Sequence, residues 1–399
     1  MSGDVIVTVT LNAALHVTYT AGDLAVTGIN PVSRPVYRAG GRGVTVARVL
    51  RAFGHDVLAA GLVGGGTGEL IREDLARSGV PTAFTLIRGE SRRFLRFASA
   101  DPAGPVMRFG EPGPYITTEE LGRFAADYRR LMAGAAAVVL CGSLPDGLPA
   151  DTYGSLVTYA AEAGVPAILD AGGEELRLAV GHGPDLVVAE TGPAGPGPEH
   201  LGAALIRLGA GAAAVAAGGL VRAVTATGGW TARIELPPAT ETTDSSEITK
   251  NTTPVNPNPV NPNPANPSNL TSPTSHISHI NPTSHASPTS PTSPNSLISP
   301  ISPYSAINRT NPISPMEPTE SDAAYPTARG ALVAGLVPGQ LLGWSWPDRL
   351  RHALALAAGG AGAWTRAPGG PEDRDHVDLA AYERLLDAVR VEPSASPPG

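Results

Sequence analysis

A glycine-rich turn, Ala39-Gly40-Gly41-Arg42-Gly43, runs directly into Val44-Thr45-Val46-Ala47-Arg48-Val49-Leu50-Arg51-Ala52-Phe53. There Val46, Val49, Leu50 and Phe53 recur at the spacing of one helix face, so a loop feeding an amphipathic helix is expected. Glycines let a backbone approach a ligand closely, and the free N–H groups of a helix start favour an anion. The chemistry such a turn offers is phosphate binding. The same residues also suit a turn that serves packing alone, so the elements around it decide between the two readings.

Those elements read as α/β. From Asp4 to Ile234 short apolar runs alternate with helical patterns, the signature of a mostly parallel sheet covered by helices. Strands are expected at Val5–Leu11, Ala137–Cys141, Ala167–Asp170, Leu186–Val188 and Ala212–Ala216. Thr117 before Thr118-Glu119-Glu120 reads as a capping box, and Asp151 opens a helix to about Ala163 that Gly164 ends. Two stretches, 17–37 and 83–109, alternate apolar and polar residues without helices between them, and they are expected to form a small separate sheet over a cleft. Beyond Ala331-Leu332-Val333-Ala334-Gly335-Leu336, helices are expected over Asp348–Ala358 and Asp378–Val389.

The organisation this implies is a first α/β part over 1–239, an insertion over 240–322, a second α/β part over 323–391 and a frayed tail over 392–399. The insertion is built of Asn-Pro, Ser-Pro and Pro-Thr-Ser units and holds 16 of the chain's 40 prolines. Too little clustered apolar surface is present there to offset the cost of ordering, so disorder is expected, with a docking tract for a protein partner as the alternative.

Composition bounds the function. The 399 residues are 42% hydrophobic and carry a formal charge of -8, with a pI near 5.6. An acidic chain is a poor general nucleic-acid binder, because phosphate neutralisation needs a basic surface. No membrane span and no export signal are read, and Cys141 is the one cysteine, which excludes an internal disulfide and fits a reducing cytoplasm.

Taken in order, several segments resemble the ribokinase-like (PfkB) carbohydrate kinases, in particular the 1-phosphofructokinase and tagatose-6-phosphate kinase branch. Thr8–Leu15 is similar to that family's first strand and substrate turn. Ala39–Arg48 resembles its Gly-Gly-Lys-Gly-x-Asn-x-Ala segment, and Gly61–Gly65, Gly68-Glu69, Gly89–Arg92 and Glu111–Pro114 follow. Gly142-Ser143-Leu144-Pro145-Asp146-Gly147 resembles its Gly-Ser-Leu-Pro-x-Gly turn, and Asp170 sits where the family has a strand-terminal Asp. The resemblance implies a three-layer Rossmann-like domain with a mostly parallel sheet and a small β-sheet lid. It also implies ATP and Mg²⁺ as cofactors, a phosphorylated sugar such as fructose 1-phosphate as substrate, and a homodimer formed through the lid.

By this resemblance the substrate site comprises Asn12, His16, Gly40, Gly41, Arg42, Thr45 and Arg92, with His16, Arg42 and Thr45 replacing the family's Asp, Lys and Asn; Phe94 stands where the family has another Asn. The family's Lys-Pro-Asn aligns with Val188-Ala189-Glu190, bringing Glu190 toward the nucleotide. Its Gly-Ala-Gly-Asp, which supplies the anion hole and the catalytic base, aligns with Thr327-Ala328-Arg329-Gly330. Gly330 cannot accept a proton, so no catalytic residue and no metal ligand is assigned, and the expectation is a kinase homologue impaired in catalysis. Three residues offer themselves as a substitute base, each with a plainer alternative: His16 as a solvated histidine in an exposed turn, Glu190 as a solvent-facing or loop-capping residue, Asp322 as part of the Pro-rich tract. Arg329 reads either as a partial neutraliser of phosphate or as a solvated arginine at a helix start. An active kinase with a rearranged base, and a non-catalytic phosphosugar-binding, nucleotide-binding or interaction protein, remain as alternatives.

Overall fold

The computed structural model describes residues 5–22, 24–25, 27–101, 103–234, 327–363 and 379–394. The Pro-rich tract and Asp322 lie outside the described residues. The strands are β1 (Val5–Thr10), β2 (Ala14–Ala21), β3 (Val36–Gly40), β4 (Val57–Gly64), β5 (Thr82–Ile87), β6 (Arg92–Ser99), β7 (Val106–Gly110), β8 (Ala135–Cys141), β9 (Ala167–Asp170), β10 (Leu186–Glu190), β11 (Ala212–Ala217), β12 (Leu220–Thr225), β13 (Gly228–Ile234) and β14 (Val389–Ser394). The helices are α1 (Arg42–Ala52), α2 (Gly65–Arg77), α3 (Thr118–Met132), α4 (Thr152–Glu162), α5 (Gly173–Ala179), α6 (Pro198–Leu208), α7 (Thr327–Leu341), α8 (Trp346–Ala363) and α9 (Leu379–Ala388).

Among the described residues, ten strands form one sheet in the order β14-β13-β12-β11-β10-β9-β8-β1-β4-β5. From β11 to β5 the neighbours are parallel; β12, β13 and β14 extend the sheet antiparallel. The parallel strands are apolar on both faces because helices cover both. Successive residues alternate between the layers: Ile6, Ala137, Val139, Leu186 and Val188 join α1, α2, α7 and α8 in one core. Val7, Val9, Val138, Leu140 and Val187 join α3, α4 and α6 in the other. The result is the three-layer arrangement expected.

The N-terminus of α3 is the anticipated capping box: Thr117 Oγ1 accepts from the Glu120 N–H at 3.2 Å and the Glu120 carboxylate accepts from the Thr117 N–H at 2.9 Å. Glu120 also accepts from the Arg88 N–H at 2.8 Å, which fixes the end of β5 to the helix start. These backbone bonds hold the Glu120 carboxyl below its ordinary range.

The small sheet has the order β3-β2-β6-β7, with β2 and β6 parallel. Two boundaries differ from expectation. Residues 83–87 were assigned to this lid, yet they lie in β5 at the edge of the large sheet, because Thr82–Ile87 pairs in register with Ala59–Gly64. Residues 392–394, expected in a frayed tail, close the opposite edge in β14, where Glu392 pairs with Thr231 and Ser394 with Gly229. Alternation in Val389-Arg390-Val391 is too short to announce a strand whose partner lies 150 or so residues away in sequence.

Candidate functional site

Parallel strands end on one side of the sheet, and the loops after β1, β8, β9 and β10 gather there, where open α/β sheets place their ligands. The glycine turn is held rigidly at this rim. Asp74, buried on α2, accepts from the Ala39 N–H at 2.7 Å and forms an ion pair with Arg48, while Arg48 Nη1 donates to the Ala39 carbonyl at 3.1 Å. Gly41 is the N-cap of α1 with φ +115°, a conformation that side chains rarely adopt, and a Cβ there would lie 2.7 Å from Thr10 Cγ2. Thr45, one turn into α1, is buried and donates through Oγ1 to the Gly41 carbonyl at 3.3 Å.

Two clusters form from the residues singled out in the sequence. In the first, Asn12 in the β1–β2 loop donates from Nδ2 to Ser143 Oγ at 3.2 Å, and its carbonyl accepts from Arg92 Nε at 3.3 Å. Arg92, at the start of β6, has no ion-pair partner among the described residues, and burial draws its guanidinium down from the ordinary arginine range. His16 lies in β2 rather than in an exposed turn, with its ring against Gly40 and 5.4 Å from the Phe94 ring. Burial first, then the charges of Arg92 and Arg48, lower the His16 imidazole to about 4. At neutral pH it is uncharged. An open cleft of about 520 Å³ adjoins this cluster, lined by Glu90, Arg92, Arg93, Glu111, Gly113 and Tyr115.

The second cluster was hidden from sequence reasoning. Asp170, at the end of β9 and fully buried, receives Arg42 Nη1 at 3.1 Å and Arg329 Nη2 at 2.6 Å, both on Oδ1. Arg329 also reaches Glu190 at 3.3 Å and the Val188 carbonyl at 3.4 Å. It is therefore neither a solvated arginine nor a free cation, and Glu190, although exposed, is engaged by it. The first turn of α7 is thus tied across the ends of β9 and β10 to the start of α1. Gly330 is buried against Thr45, and a Cβ there would lie 2.6 Å from Thr45 Cγ2. Thr327 and Ala328 begin the helix, with Ala328 exposed. The alignment of Asp170 with a strand-terminal Asp was the one sequence signal for this cluster; its pairing with Arg329 needed the fold.

Neither Gly330 nor the glycine turn supplies a proton acceptor. The pfkB family carbohydrate kinase pattern matches residues 10–190. Over that stretch the chain is similar to the pfkB carbohydrate kinases. A tagatose-6-phosphate kinase of Staphylococcus epidermidis is 34% identical over 172 residues, which is 43% of this chain and 54% of that relative. The chain thus spans about half the length of the curated relative it matches. Among solved structures, phosphofructokinase-2 of Escherichia coli in complex with fructose-6-phosphate superposes with a TM-score of 0.62 at 18% identity, covering 96% of this chain and 98% of that one. A carbohydrate kinase of Agrobacterium tumefaciens gives 0.59 at 16% identity, with 98% and 100% covered. These structures show the ribokinase-like fold.

The residues present do not fit a protein-held divalent cation at the strand ends. Asp170 and Glu190, the two carboxylates there, both face Arg329. Among the described residues no group of three or more His, Cys, Asp and Glu side chains is placed to hold a metal ion, and no helix is long and apolar enough to cross a membrane.

Proposed function

We propose that this protein binds a phosphorylated ketohexose in the cleft beside Arg92 and Asn12 and is impaired in phosphoryl transfer. Phosphoryl transfer relies on positioning and on donors aimed at developing charge, so the start of α7 is decisive. One observation carries the reading: where the resemblance calls for an anion-hole glycine and a carboxylate base, the chain has Arg329 locked onto Asp170 and Gly330 packed against Thr45. Loss of the proton acceptor alone lowers rates by about 10²–10⁴-fold. Glu190 and His16 do not replace it in this reading, the first held by Arg329 and the second uncharged on the lid side.

Arg42 keeps a positive charge at the glycine turn, and Arg92 offers a guanidinium without an acidic partner among the described residues, so a phosphate is still attracted. The reading places the protein in a reducing cytoplasm, with Mg-ATP as the family's co-substrate and the lid as a dimer surface. It is tested by the thermal stability of the purified chain with Mg-ATP and with fructose 1-phosphate, fructose 6-phosphate or tagatose 6-phosphate, following ADP in the same samples. A sugar-phosphate-dependent rise in Tm without ADP release is expected. Rapid sugar-dependent ADP release would overturn the impairment, and no shift with any sugar phosphate would overturn the binding.

A further inference from the structure

Helix α2 has no cap of its own. Its N-cap is Gly64, which has no side chain to offer, and its first turn holds no acidic residue. The cap comes instead from Glu90, 23 residues beyond Thr67, whose carboxylate accepts from the Thr67 N–H at 2.6 Å. The Thr67 hydroxyl first, then the N–H groups of Thr67 and Gly66, hold the Glu90 carboxyl below its ordinary range. A Cβ on Gly65 would fall on that same carboxylate. Ser91, the next residue, is buried and pairs with Gly64 in both directions. Its N–H donates to the Gly64 carbonyl at 2.9 Å, and its Oγ accepts from the Gly64 N–H at 3.0 Å. Arg92 follows at once, so the guanidinium at the cleft springs from a backbone fastened to the head of α2.

The same helix holds the other half of the site. Asp74 lies two turns beyond Thr67 and so on the same side of the helix, where Thr67, Ile71 and Asp74 are all buried. From there Asp74 takes the Ala39 N–H and, through Arg48, the Ala39 carbonyl, at the foot of Gly40 and Gly41. A rigid span of about 10 Å along the helix axis thus separates the attachment of Arg92 from that of the glycine turn.

We propose that α2 is the spacer that sets the distance between Arg92 and the glycine turn, with Glu90 and Asp74 as the positioning residues at its two attachments. This rests on the phosphosugar reading above and adds to it what keeps the site in shape before a ligand arrives. A ligand that touches both groups meets them already placed, and segments that would otherwise be ordered at the expense of affinity are ordered in advance. The sign of the effect separates positioning from plain electrostatics. Glu90 is exposed on the wall of the cleft that Arg92 lines, where its charge repels a phosphate. Removing that charge alone tightens the binding of an anion, whereas releasing the attachment weakens it.

The experiment is calorimetric titration of the full chain and its variants, at a temperature where circular dichroism shows each to be folded. The probe is whichever of fructose 1-phosphate, fructose 6-phosphate and tagatose 6-phosphate the unaltered chain binds most tightly. Glu90→Ala should bind it about tenfold more weakly, although a repelling charge has gone. Glu90→Gln loses the same charge but keeps an acceptor for the Thr67 N–H, so its affinity should equal or exceed that of the unaltered chain. Ser91→Ala removes the hydroxyl that accepts from Gly64, changes no charge and should weaken binding as Glu90→Ala does. Affinity unchanged or raised in Glu90→Ala would overturn the inference and leave the carboxylate as a helix cap alone. If Glu90→Ala does not fold, undiminished affinity in Ser91→Ala overturns it in the same way. Equal weakening in Glu90→Ala and Glu90→Gln would also overturn it, by showing that the charge itself serves the ligand. Binding of none of the three sugars by the unaltered chain would instead overturn the phosphosugar reading on which this rests.

Discussion

The guanidinium of Arg329, itself partly exposed, lies 2.6 Å from the fully buried carboxylate of Asp170 and joins the first turn of α7 to the end of β9. A buried carboxylate is costly unless its charge is met, and Arg42 supplies the second cation at 3.1 Å. Arg329→Ala is therefore expected to destabilise the protein by about 1–3 kcal/mol, less than the loss of a sole partner because Arg42 remains. Glu190→Gln, at the exposed end of the same chain of charges, should cost under about 1 kcal/mol. Urea unfolding of the two variants checks the order; equal effects would show that Asp170 does not depend on Arg329.

Gly330 and Thr45 give a second prediction. Gly330→Ala should lower stability by about 1–3 kcal/mol, because the new methyl meets Thr45 Cγ2 at 2.6 Å. Thr45→Ser removes that atom and should restore part of the loss. A double-mutant cycle in urea measures the coupling, and strict additivity would refute the contact.

Chemistry can be asked of the same turn. Arg329→Gly with Gly330→Asp and Thr45→Ser frees the helix start and places a carboxylate where the proton acceptor is missing. ADP release in the presence of a ketohexose phosphate and Mg-ATP should rise about 10²-fold or more over the unaltered chain. An unchanged rate in a folded variant would show that the impairment lies elsewhere.

Acid should unfold the protein early. Burial and the charges of Arg92 and Arg48 hold His16 at about 4, and burial together with the nearby His55 holds His352 at about 4 as well. Each is 6.5 in an open chain, so the unfolded chain binds protons that the native one refuses between about pH 6.5 and 4. Stability is full above that window and falls as pH drops through it, by up to about 3 kcal/mol for each histidine. Urea midpoints at pH 7.5, 6 and 5 test this; His352→Asn, which removes the ring bonded to the Tyr382 hydroxyl at 2.6 Å, should flatten the slope.

Helix α3 offers a comparison of two caps. Thr117→Ala should cost about 1 kcal/mol. Glu120→Ala should cost more, because its buried carboxylate also holds the Arg88 N–H at the end of β5. Thermal unfolding ranks the two.

Much of the fold was legible because its signals are local. Apolar runs such as Val5–Thr10 announce buried strands, Thr117 and Glu120 announce a helix start, and Gly40-Gly41 announces the turn at the rim. What stayed hidden depends on distance along the chain. Nothing near Arg329 shows that its side chain ends on Asp170, and nothing in Val389–Ser394 shows that β13 waits for it. His16 reads as a polar residue near a turn, whereas the lid strand carries it into a place where burial keeps its ring uncharged at neutral pH. β5 went to the wrong sheet because alternation predicts a half-buried strand without naming its neighbour.

Among the described residues β14 is the last strand in sequence; it pairs with β13, and α7 covers α1, some 285 residues before it. Synthesis at about 5–20 residues per second leaves on the order of ten seconds or more between emergence of Ile234 and of Val389. During that interval the nascent chain exposes the apolar side of Val46, Val49 and Leu50 and the unpaired backbone edge of β13, a template for other strands. Maturation of the polypeptide is thereby coupled to translation of residues 327–394, and a ribosome stalled within 235–326 would present the quality-control machinery with a sticky fragment. Supplied in trans, a fragment beginning near 327 should rescue it.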